Sequence, residues 1–395
     1  MKKTISIIGG GTSSFLLAAF LNTEKYEVTI YEKNKTSGRK FLVAGKGGFN
    51  LTHSEAVSEL IERYTPNDFL KEALLHFTNN AFINWLHARN IPTYIGTSKR
   101  VYPKEGIKPI TVLKTILDHL KEKGILFKYE HTFSGWDAEN NLLINDKSII
   151  SDYSVFSLGG GSWKITGSNG LWLEKFEQKG VKTLPFEASN CTFKISWDRD
   201  FLSKHEGKPL KNIAVSCLGK RQKGEAVITK MGLEGNAIYS LSPQIRTQLK
   251  SQKKAVIYID FKPTLSLETI SSKIVNSNFK NTTQILKKEL KLTPLQIDLL
   301  KIKLPKDHYL NALLLSESIK KFPLEVYELG LLDEAISTAG GISLTSVDSN
   351  FQLHTIPNQF CIGEMLNWDA PTGGYLIQAC ASTGVYLSNY LNKID

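Results

Sequence analysis

The chain has 395 residues, of which 41% are hydrophobic and 22% charged. These values are typical of a soluble globular protein with two or three domains, and they exclude a disordered, fibrous or multi-span membrane protein. The 49 Lys and Arg residues exceed the 38 Asp and Glu residues, and the resulting net charge of +11 fits an acidic ligand, a polyanion or a lysine-rich surface equally well.

The N-terminal segment combines Lys2 and Lys3 with an apolar run over residues 5–21, as a secretory signal peptide does. Three consecutive glycines, Gly9 to Gly11, interrupt this run, and no small-x-small cleavage motif follows it. The run is also too short to span a membrane. We therefore interpret the segment as folded protein and predict no membrane association.

A strand, a glycine-rich turn and a helix follow one another in this segment. Residues 4–8 are a β-branched apolar run that predicts a strand, and the pattern of residues 15–21 predicts a helix. Gly9 and Gly11 match the first two glycines of G-x-G-x-x-G, which permit a tight turn and the approach of a pyrophosphate to the N–H groups of a helix. Ser14 replaces the third glycine, where helix packs against strand.

An acidic residue follows at the spacing that a dinucleotide-binding domain requires. Residues 28–31 predict a second strand, and Glu32 ends it at the position where the fingerprint expects a carboxylate against ribose hydroxyls. A carboxylate would repel a 2′-phosphate, so we expect FAD or NAD rather than NADP. The glycines alone also fit a plain turn of any α/β protein, but the position of Glu32 favours the dinucleotide site.

The segment from Gly38 to Asn50 combines basic residues with closely spaced glycines. Such a loop can surround a pyrophosphate with cations and bring its backbone close to a flat ring. A flexible basic loop without a ligand is the alternative interpretation.

The next part of the chain is predicted to be mainly helical. Apolar patterns predict helices over residues 69–77, 81–89 and 111–123, with an extended stretch around residues 91–94. Further on, residues 155–158 predict a strand that enters the turn Gly159 to Gly161. Because no helix follows directly, we interpret this turn as the return of the chain to the cofactor domain and not as a second dinucleotide site.

A domain of different character is predicted in the middle of the chain. From about residue 184 to residue 262 apolar and polar residues alternate, which predicts a β-rich domain, and residues 264–318 predict short helices. Residues 250–321 contain 14 lysines, 6 acidic residues and no arginine. We interpret this stretch as a solvated lysine face, with nucleic-acid contact as the weaker alternative.

The C-terminal region supplies a second group of candidate residues. Residues 359–362 predict a buried strand that ends at Gly363 and Glu364, whose carboxylate can accept a hydrogen bond from a polyol chain. Gly373 and Gly374 then precede a long predicted helix, whose N-terminal amides can stabilise negative charge on a reduced flavin. An ordinary capped terminal helix is the alternative.

Together these motifs resemble the two-dinucleotide-binding-domain flavoproteins, and in particular the bacterial aminoacetone oxidase-like and 3-dehydro-bile-acid reductase-like flavoproteins. The resemblance covers nearly the whole chain and depends on these motifs: Gly9-x-Gly11, Glu32, Gly38-Arg39-Lys40 through Asn50-Leu51-Thr52, Tyr102-Pro103, Gly159-Gly160 with Thr166-Gly167, Ala339-Gly340-Gly341, and Gly363-Glu364 through Pro371-Thr372-Gly373-Gly374-Tyr375. Phe49 stands where many relatives have cysteine, and the chain lacks the Cys-x4-Cys of flavin disulfide reductases, so no thiol chemistry is carried over.

The expected fold class is α/β, with a Rossmann-like FAD-binding domain, consisting of a parallel sheet with helices, over residues 1–183 and 335–395. We expect an inserted β-rich, partly open barrel-like domain over residues 184–263 and 319–334, and a small helical subdomain over residues 264–318. The resemblance implies that this insert covers the flavin on the substrate side.

The resemblance implies bound FAD, with the pyrophosphate near Gly9 to Gly11, the adenosine ribose on Glu32, the ribityl chain on Glu364 and the flavin near Asn50 and Gly373-Gly374. The predicted cofactor-binding residues are Gly9, Gly11, Thr12, Ser13, Ser14, Glu32, Lys33, Gly38, Arg39, Lys40, Gly47, Gly48, Asn50, Phe133, Gly159, Gly160, Gly363, Glu364, Asp369, Thr372, Gly373, Gly374 and Tyr375. No catalytic acid or base is identified, since Asp369 fits a helix-capping role as well as a role near the ring. No metal-ligand cluster is predicted.

We predict an FAD-dependent oxidoreductase in which flavin N5 exchanges a hydride with a small organic substrate, with NADH or NADPH as the transient electron donor of a reductase. An oxygen-dependent amine or aminoketone oxidase that releases peroxide is one alternative. An FAD-bound nucleic-acid-binding or assembly protein that uses the lysine-rich insert is an alternative from another class. The sequence leaves the substrate and the oligomeric state open.

The cysteines indicate a cellular compartment. Cys191, Cys217, Cys361 and Cys380 are far apart and form neither a Cys-x-x-Cys pair nor a disulfide-rich pattern. A reducing, cytoplasmic environment is therefore predicted.

Overall fold

The computed structural model describes residues 1–43 and 48–394. The chain divides into two compact units, of which the first comprises Met1–Ala188 and Leu332–Asp395 and the second Ser189–Leu331. The predicted separate helical subdomain over residues 264–318 stays a prediction.

The strands of the described residues are β1 Lys3–Ile8, β2 Tyr26–Glu32, β3 Thr52–His53, β4 Thr93–Ile95, β5 Arg100–Pro103, β6 Leu126–Tyr129, β7 Phe133–Trp136, β8 Leu142–Ile144, β9 Lys147–Ile149, β10 Tyr153–Phe156, β11 Thr183–Ser189, β12 Phe193–Lys194, β13 Pro209–Cys217, β14 Lys220–Thr229, β15 Gly232–Glu234, β16 Ala255–Asp260, β17 Phe322–Val326, β18 Glu328–Leu329, β19 Ser337–Ile342 and β20 Gln359–Cys361.

The α-helices are α1 Thr12–Phe20, α2 Arg39–Val43, α3 Val57–Ile61, α4 Lys71–His76, α5 Asn79–His87, α6 Pro109–Glu122, α7 Leu173–Gln178, α8 Arg199–His205, α9 Asn236–Tyr239, α10 Ser242–Gln252, α11 Leu267–Val275, α12 Thr282–Lys288, α13 Pro294–Lys303, α14 Lys306–Leu310, α15 Ala312–Lys320 and α16 Tyr375–Ile394. Short 3-10 turns lie at Lys164–Thr166, Leu332–Glu334, Leu344–Ser346 and Gly363–Met365.

A five-stranded parallel sheet lies at the centre of the first unit, in the order β6-β2-β1-β10-β20. Strands β1 and β10, in the interior of the sheet, are mostly buried, which is typical of a parallel sheet that is covered on both faces. Numbered along the chain, these five strands have the order 3-2-1-4-5, which is that of a Rossmann-type sheet. The predicted α/β fold with a parallel sheet is confirmed. The order reverses between β1 and β10, and ligands of such sheets bind outside the carboxyl ends at this point.

Helices α1 and α16 pack closely against each other beside this sheet. A Cβ atom placed on Gly384 of α16 would lie 2.4 Å from the carbonyl oxygen of Ser13 in α1, so only glycine permits this approach. The other end of α1 is capped by the Lys123 ammonium group, which donates hydrogen bonds to the carbonyl oxygens of Ala19 at 2.6 Å and Leu21 at 2.7 Å. Both ends of α1 are thus fixed by residues distant in sequence.

Three small antiparallel or two-stranded sheets complete the first unit: β3-β5-β4, β7-β8-β9 and β11-β19. The β7-β8-β9 sheet carries Phe133 and Trp136, whose rings pack edge to face at 4.9 Å. Phe156 and Phe176 join them, with ring centroids 5.0 Å apart. This aromatic cluster belongs to the apolar core of the unit.

The second unit is built on a seven-stranded sheet with the order β17-β16-β13-β14-β15-β12-β18 and antiparallel pairing. Its residues alternate in burial, as in β17, because one face packs on the core of the unit. The β-rich insert is therefore confirmed, and the described strands form no closed barrel. Buried Asp260 connects two cations in this unit, Arg221 at 2.8 Å and Lys320 at 2.7 Å.

None of the helices in the described part of the chain has the length and apolar character that crossing a membrane requires.

Candidate cofactor site

Four strand ends meet at the carboxyl edge of the parallel sheet. Ile8 at the end of β1 lies opposite Tyr31 of β2 and Phe156 of β10, and Phe156 lies opposite Cys361 of β20. The residues that continue from these ends are neighbours for that reason: Gly9, Glu32, Ser157 and Ile362. The first and last predicted cofactor motifs therefore share one edge, although about 350 residues of sequence lie between them.

The turn after β1 requires glycine at its first position. Gly9 has a φ of +100°, and a Cβ atom there would lie 2.4 Å from the carbonyl oxygen of Ser157. The buried Ser14 hydroxyl donates a hydrogen bond to the carbonyl oxygen of Gly9, so the serine at the third fingerprint position closes the turn. Gly10 N–H donates to Glu32 Oε2 at 2.8 Å.

The start of α1 has the properties of an anion cradle. Gly11 is its N-cap residue, no side chain caps the helix, and no acidic residue lies in its first turn. A Cβ atom on Gly11 would meet no heavy atom of the described residues within 4 Å. The N–H groups of Thr12 and Ser13 in the first turn have no intrahelical acceptor. Unfilled space beside these donors fits a pyrophosphate.

Glu32 is held at the end of β2 by its neighbours. Its carboxylate is 8% exposed, and Oε1 accepts hydrogen bonds from Asn34 N at 2.8 Å and Asn34 Nδ2 at 2.7 Å. Asn34 Oδ1 in turn accepts a hydrogen bond from Arg39 Nη1 at 3.0 Å. A carboxylate has about four lone-pair sites, so Glu32 retains capacity to accept from ribose hydroxyls. Asn34 was not among the predicted residues, although it connects two of them, Glu32 and Arg39.

The turn after the 3-10 segment Lys164–Thr166 lies against the residues that follow Glu32. A Cβ atom on Gly167 would lie 2.6 Å from Asn34 Nδ2 and 3.1 Å from Lys33 Cε. Lys33 Nζ is 3.5 Å from Asn169 Oδ1. Burial under this turn lowers the pKa of Lys33, and the Coulombic effect of Glu32 opposes that shift.

Lys40 and Glu364 form an ion pair across 324 residues of sequence. Lys40 Nζ is 2.9 Å from Glu364 Oε2 and donates to Ser162 Oγ at 3.1 Å. A Cβ atom on Gly160 would lie 3.2 Å from Glu364 Oε1 and 2.2 Å from Thr338 Oγ1, so the Gly159-Gly160 turn lies against the same pair. This cluster offers a cation, a carboxylate and two hydroxyls, which is a donor and acceptor set that fits a polyol chain.

Gly363 joins the C-terminal motif to α1. A Cβ atom there would lie 2.2 Å from Ser13 Oγ, and Trp368 Nε1 donates to the Gly363 carbonyl oxygen at 2.8 Å. Gly159 also belongs to the predicted set. A Cβ atom placed on Gly159 would lie 3.4 Å from Ser168 Oγ.

The segment around Asn50 begins beside the glycine turn. Gly38 N–H donates to the carbonyl oxygen of Gly10 at 2.8 Å. Asn50 N–H donates to the carbonyl oxygen of Gly48 at 2.9 Å, and the ring of Tyr102 lies 3.6 Å from a Cβ atom placed on Gly48. Predicted residue Gly47 lies outside the described residues.

The Gly373-Gly374 segment packs directly on the strand that follows Asn50. A Cβ atom on Gly374 would lie 2.5 Å from the backbone of Thr52, so the two backbones are in contact only because residue 374 is glycine. Thr52 Oγ1 also donates to Gln378 Oε1 of α16 at 2.6 Å. Both segments predicted to contact the flavin are therefore brought together. Arg100 Nε lies 3.4 Å from a Cβ atom placed on Gly373.

A buried polar network adjoins this contact. The Glu55 carboxylate accepts two hydrogen bonds from Arg63, at 2.8 and 3.2 Å, and one from Tyr375 Oη at 2.7 Å. Burial tends to raise the pKa of Glu55, but the hydrogen bonds from Arg63 and Tyr375 hold it below its ordinary value. Burial and the bond to Glu55 raise the pKa of Tyr375 far above its ordinary value, so its hydroxyl stays protonated. Glu55 and Arg63 were not among the predicted site residues, because no sequence motif marks them.

Three predicted residues are placed less directly. The Phe133 side chain lies in the aromatic cluster, so only its backbone is available to a cofactor. Asp369 Oδ1 accepts from Ala370 N at 2.8 Å, and the Asp369 backbone pairs with Thr65. Thr372 is partly exposed in the loop before Gly373. The described residues contain no group of three or more side chains that could hold a metal ion.

A family model described as HI0933-like protein Rossmann domain matches residues 3–390. The ribosomal RNA dihydrouridine synthase of Haemophilus influenzae is 26% identical over 241 residues, which are 60% of this chain and 60% of that protein. The ribosomal RNA dihydrouridine synthase of Escherichia coli K12 is 22% identical over 392 residues, 94% of each chain. The 3-dehydro-bile acid delta(4,6)-reductase of Clostridium scindens is 22% identical over 407 residues, 96% of this chain and 97% of that protein.

Two solved structures have a similar fold. The 3-ketosteroid-delta4-(5alpha)-dehydrogenase of Rhodococcus jostii RHA1, in complex with 4-androstene-3,17-dione, is 13% identical with a TM-score of 0.51, over 99% of this chain and 97% of that chain. The open conformation of a flavocytochrome c3 fumarate reductase is 12% identical with a TM-score of 0.51, over 99% of this chain and 78% of that chain. At these identities the likeness shows the fold alone.

Proposed function

Since this chain belongs to the HI0933-like family of Rossmann-domain proteins, we propose that it is an FAD-dependent oxidoreductase that reduces a carbon–carbon double bond conjugated to a carbonyl group. The observation that carries the proposal is the meeting, at one sheet edge, of the cradle at Gly11, the carboxylate of Glu32 and the Lys40–Glu364 pair. These features are spaced along the edge in the order that a dinucleotide with a polyol chain requires.

FAD accounts for the site better than NAD does. Gly11 and Arg39 would hold the pyrophosphate, and Glu32 the adenosine ribose. Glu364 and Lys40 would bind the ribityl chain, a group that NAD lacks. Gly374, packed on the Thr52 backbone, would present N–H groups at the start of α16 to the ring. When bound, FAD would supply the hydride chemistry of its N5 atom.

The reaction class follows from what the names of two relatives have in common. Dihydrouridine is uridine with its ring C=C bond saturated, and that bond is conjugated to a carbonyl group. The delta(4,6) double bonds of a 3-dehydro bile acid are conjugated to its 3-oxo group in the same way. In such a reduction the β carbon receives a hydride and the α carbon a proton, and we propose that NADH or NADPH supplies the two electrons.

A small unsaturated ketone is the first candidate substrate, and one observation favours uridine in RNA as a second. Residues 189–331, the second unit, contain 24 Lys and Arg residues and 13 Asp and Glu residues, whereas the rest of the chain contains 25 of each. The whole net charge of +11 therefore lies in the second unit. Clustered cations attract phosphodiesters and release their counterions. This division of charge makes the lysine-rich insert a candidate RNA contact.

The first experiment tests cofactor and electron donor together. The purified protein is mixed anaerobically with NADH and, separately, with NADPH, and the oxidised-flavin absorption band is followed. We expect FAD in the protein and rapid loss of the band with one of the two nicotinamides. Absence of FAD after reconstitution would contradict the cofactor proposal. A bound flavin that neither nicotinamide reduces would contradict the reductase and favour an amine or aminoketone oxidase, identified by peroxide release.

The second experiment separates the two candidate substrates. Photoreduced enzyme is mixed anaerobically with an unsaturated 3-oxosteroid or with unmodified ribosomal RNA, and reoxidation of the flavin is measured beside the reduced product. Steroid turnover without dihydrouridine would support the small substrate. Dihydrouridine formation that declines with added salt would support RNA. Reoxidation by neither would contradict the proposed reaction class for these substrates.

We further propose a cytoplasmic protein. Cys217, Cys361 and Cys380 have free thiols in the structure, which agrees with a reducing compartment, and nicotinamide donors are available there.

A further inference from the structure

A buried ion pair lies between the two segments that the proposed function assigns to the flavin. The Glu55 side chain is 2% exposed, and Arg63 binds it through both Nε and Nη2, at 3.2 and 2.8 Å. Glu55 follows the Asn50–Thr52 segment by three residues. Its carboxylate also accepts a hydrogen bond from Tyr375, the residue directly after Gly374. One carboxylate therefore connects the stretch that follows Asn50–Thr52 to the start of α16.

Tyr375 is fixed from three directions. Its ring stacks on His53, with centroids 5.1 Å apart and an interplanar angle of 21°. Its hydroxyl donates to Glu55 at 2.7 Å, and its carbonyl oxygen accepts a hydrogen bond from Tyr64 Oη at 2.8 Å. The ring edge also lies 3.2 Å from a Cβ atom placed on Gly373. The Tyr375 ring therefore lies beside the Gly373 backbone.

Stability of the core does not by itself account for this network. A buried ion pair contributes little net stability compared with apolar side chains of the same shape, because both charges are desolvated. The pair does fix the orientation of the Glu55 carboxylate, because a guanidinium that donates two N–H groups to a carboxylate holds it in one plane. The carboxylate in turn fixes the position of one hydroxyl, that of Tyr375.

We propose that Glu55 and Arg63 are positioning residues for the flavin, which rests on the proposed function. Their ion pair fixes Tyr375, and Tyr375 holds the Gly373-Gly374 backbone in the conformation that receives the ring. Neither residue needs to touch the cofactor for this role. Loss of the pair would leave the sheet and the glycine turn at Gly9 intact and would affect the ring end of the site.

The test compares flavin affinity and the spectrum of bound flavin among full-length variants. Glu55→Gln removes the charge, and we expect the Kd for FAD to rise at least about tenfold, with a changed visible circular dichroism band. Arg63→Lys keeps the charge but loses the bidentate geometry, so a smaller change of the same kind is expected. Tyr375→Phe keeps the ring on His53 and removes only the hydrogen bond to Glu55, so it should reproduce the spectral change.

The matched control is Asp260→Asn in the second unit. Asp260 is likewise a buried carboxylate with two cationic partners, at 2.8 and 2.7 Å. We expect Asp260→Asn to lower the unfolding temperature without changing FAD affinity or the flavin spectrum. If Glu55→Gln behaves like this control, the pair is merely structural and the inference is overturned.

Three further outcomes separate failure of the inference from failure of the proposed function. If Glu55→Gln does not fold, Tyr375→Phe decides, and wild-type affinity and spectrum in that variant would overturn the inference. If the wild-type protein binds FAD but all three variants bind it identically, the inference alone fails. If the wild-type protein binds no FAD, the proposed function fails and the inference with it.

Discussion

Replacing Gly11 by alanine should separate cofactor binding from folding. Gly11 has a φ of −121° and a ψ of −174°, an extended conformation that any residue adopts. Among residues 1–43 and 48–394, apart from its two chain neighbours, a Cβ atom there would meet no heavy atom within 4 Å. Alanine caps a helix less well than glycine but reduces the freedom of the unfolded chain, and these two effects are small and opposite in sign. We expect the free energy of unfolding of the apoprotein to change by no more than about 0.5 kcal/mol.

The same methyl group would occupy the space that we assign to the pyrophosphate. Overpacking costs about 1–3 kcal/mol, which corresponds to an increase of about 5- to 150-fold in the Kd for FAD. Denaturant unfolding of the apoprotein and fluorescence titration with FAD measure the two quantities on one sample.

Gly9→Ala is the contrasting variant. Here the φ of +100° and the 2.4 Å approach to the Ser157 carbonyl oxygen combine strain with overpacking, so we expect about 2 kcal/mol or more of lost stability. An FAD affinity of Gly11→Ala equal to that of the wild type would refute the placement of the pyrophosphate. A loss of apoprotein stability comparable to that of Gly9→Ala would show that the space beside Gly11 does not accept a methyl group.

Three other predictions concern the remaining parts of the site. Glu32→Gln keeps the shape of the side chain and one acceptor oxygen, but it removes the negative charge and turns an NH2 group toward the N–H donors of either Gly10 or Asn34. FAD should therefore bind at least about tenfold more weakly, while 2′-phosphorylated nucleotides are repelled less. Isothermal titration with FAD and NADP measures both affinities, and unchanged selectivity would argue against a ribose at Glu32. Lys40→Met and Glu364→Gln each break the 2.9 Å pair, so each should weaken FAD binding by about five- to tenfold. The affinity for ADP should stay unchanged, because ADP ends at the second phosphate and has no polyol chain beyond it. Equal losses for FAD and ADP would contradict the assignment. The pKa of Glu55 is lower in the folded protein than its ordinary value. The Glu55 carboxylate therefore contributes its full stabilisation above the unfolded-state pKa of about 4.3. That stabilisation is lost as the pH falls through the folded-state pKa. The difference in unfolding free energy between wild type and Glu55→Gln should therefore shrink between pH 7 and pH 3, and a difference independent of pH would show that the charge does not matter.

Local pattern was enough to predict the turn after β1. The turn lies between a β-branched run and an apolar helix pattern that are consecutive in sequence. The positive φ of Gly9 and the start of α1 therefore depend on residues that are close along the chain. The helices predicted over residues 69–77, 81–89 and 111–123 correspond to α4, α5 and α6 within a few residues. Alternation in the middle of the chain predicted the β-rich insert because residues on the two faces of a strand differ in burial. These features were determined by the sequence itself.

Tertiary structure decided which distant residues meet. Lys40 and Glu364 were predicted as separate cofactor contacts, and they pair because the fold brings the start of α2 beside the residues that follow β20. Glu55 and Arg63, which flank the short helix α3, were missed because a charged residue beside a helix has the same local pattern whether it is buried or exposed. Periodicity shows which face of an element is buried, but the partner of a buried charge is set by which strands share an edge, and that is a property of the whole fold.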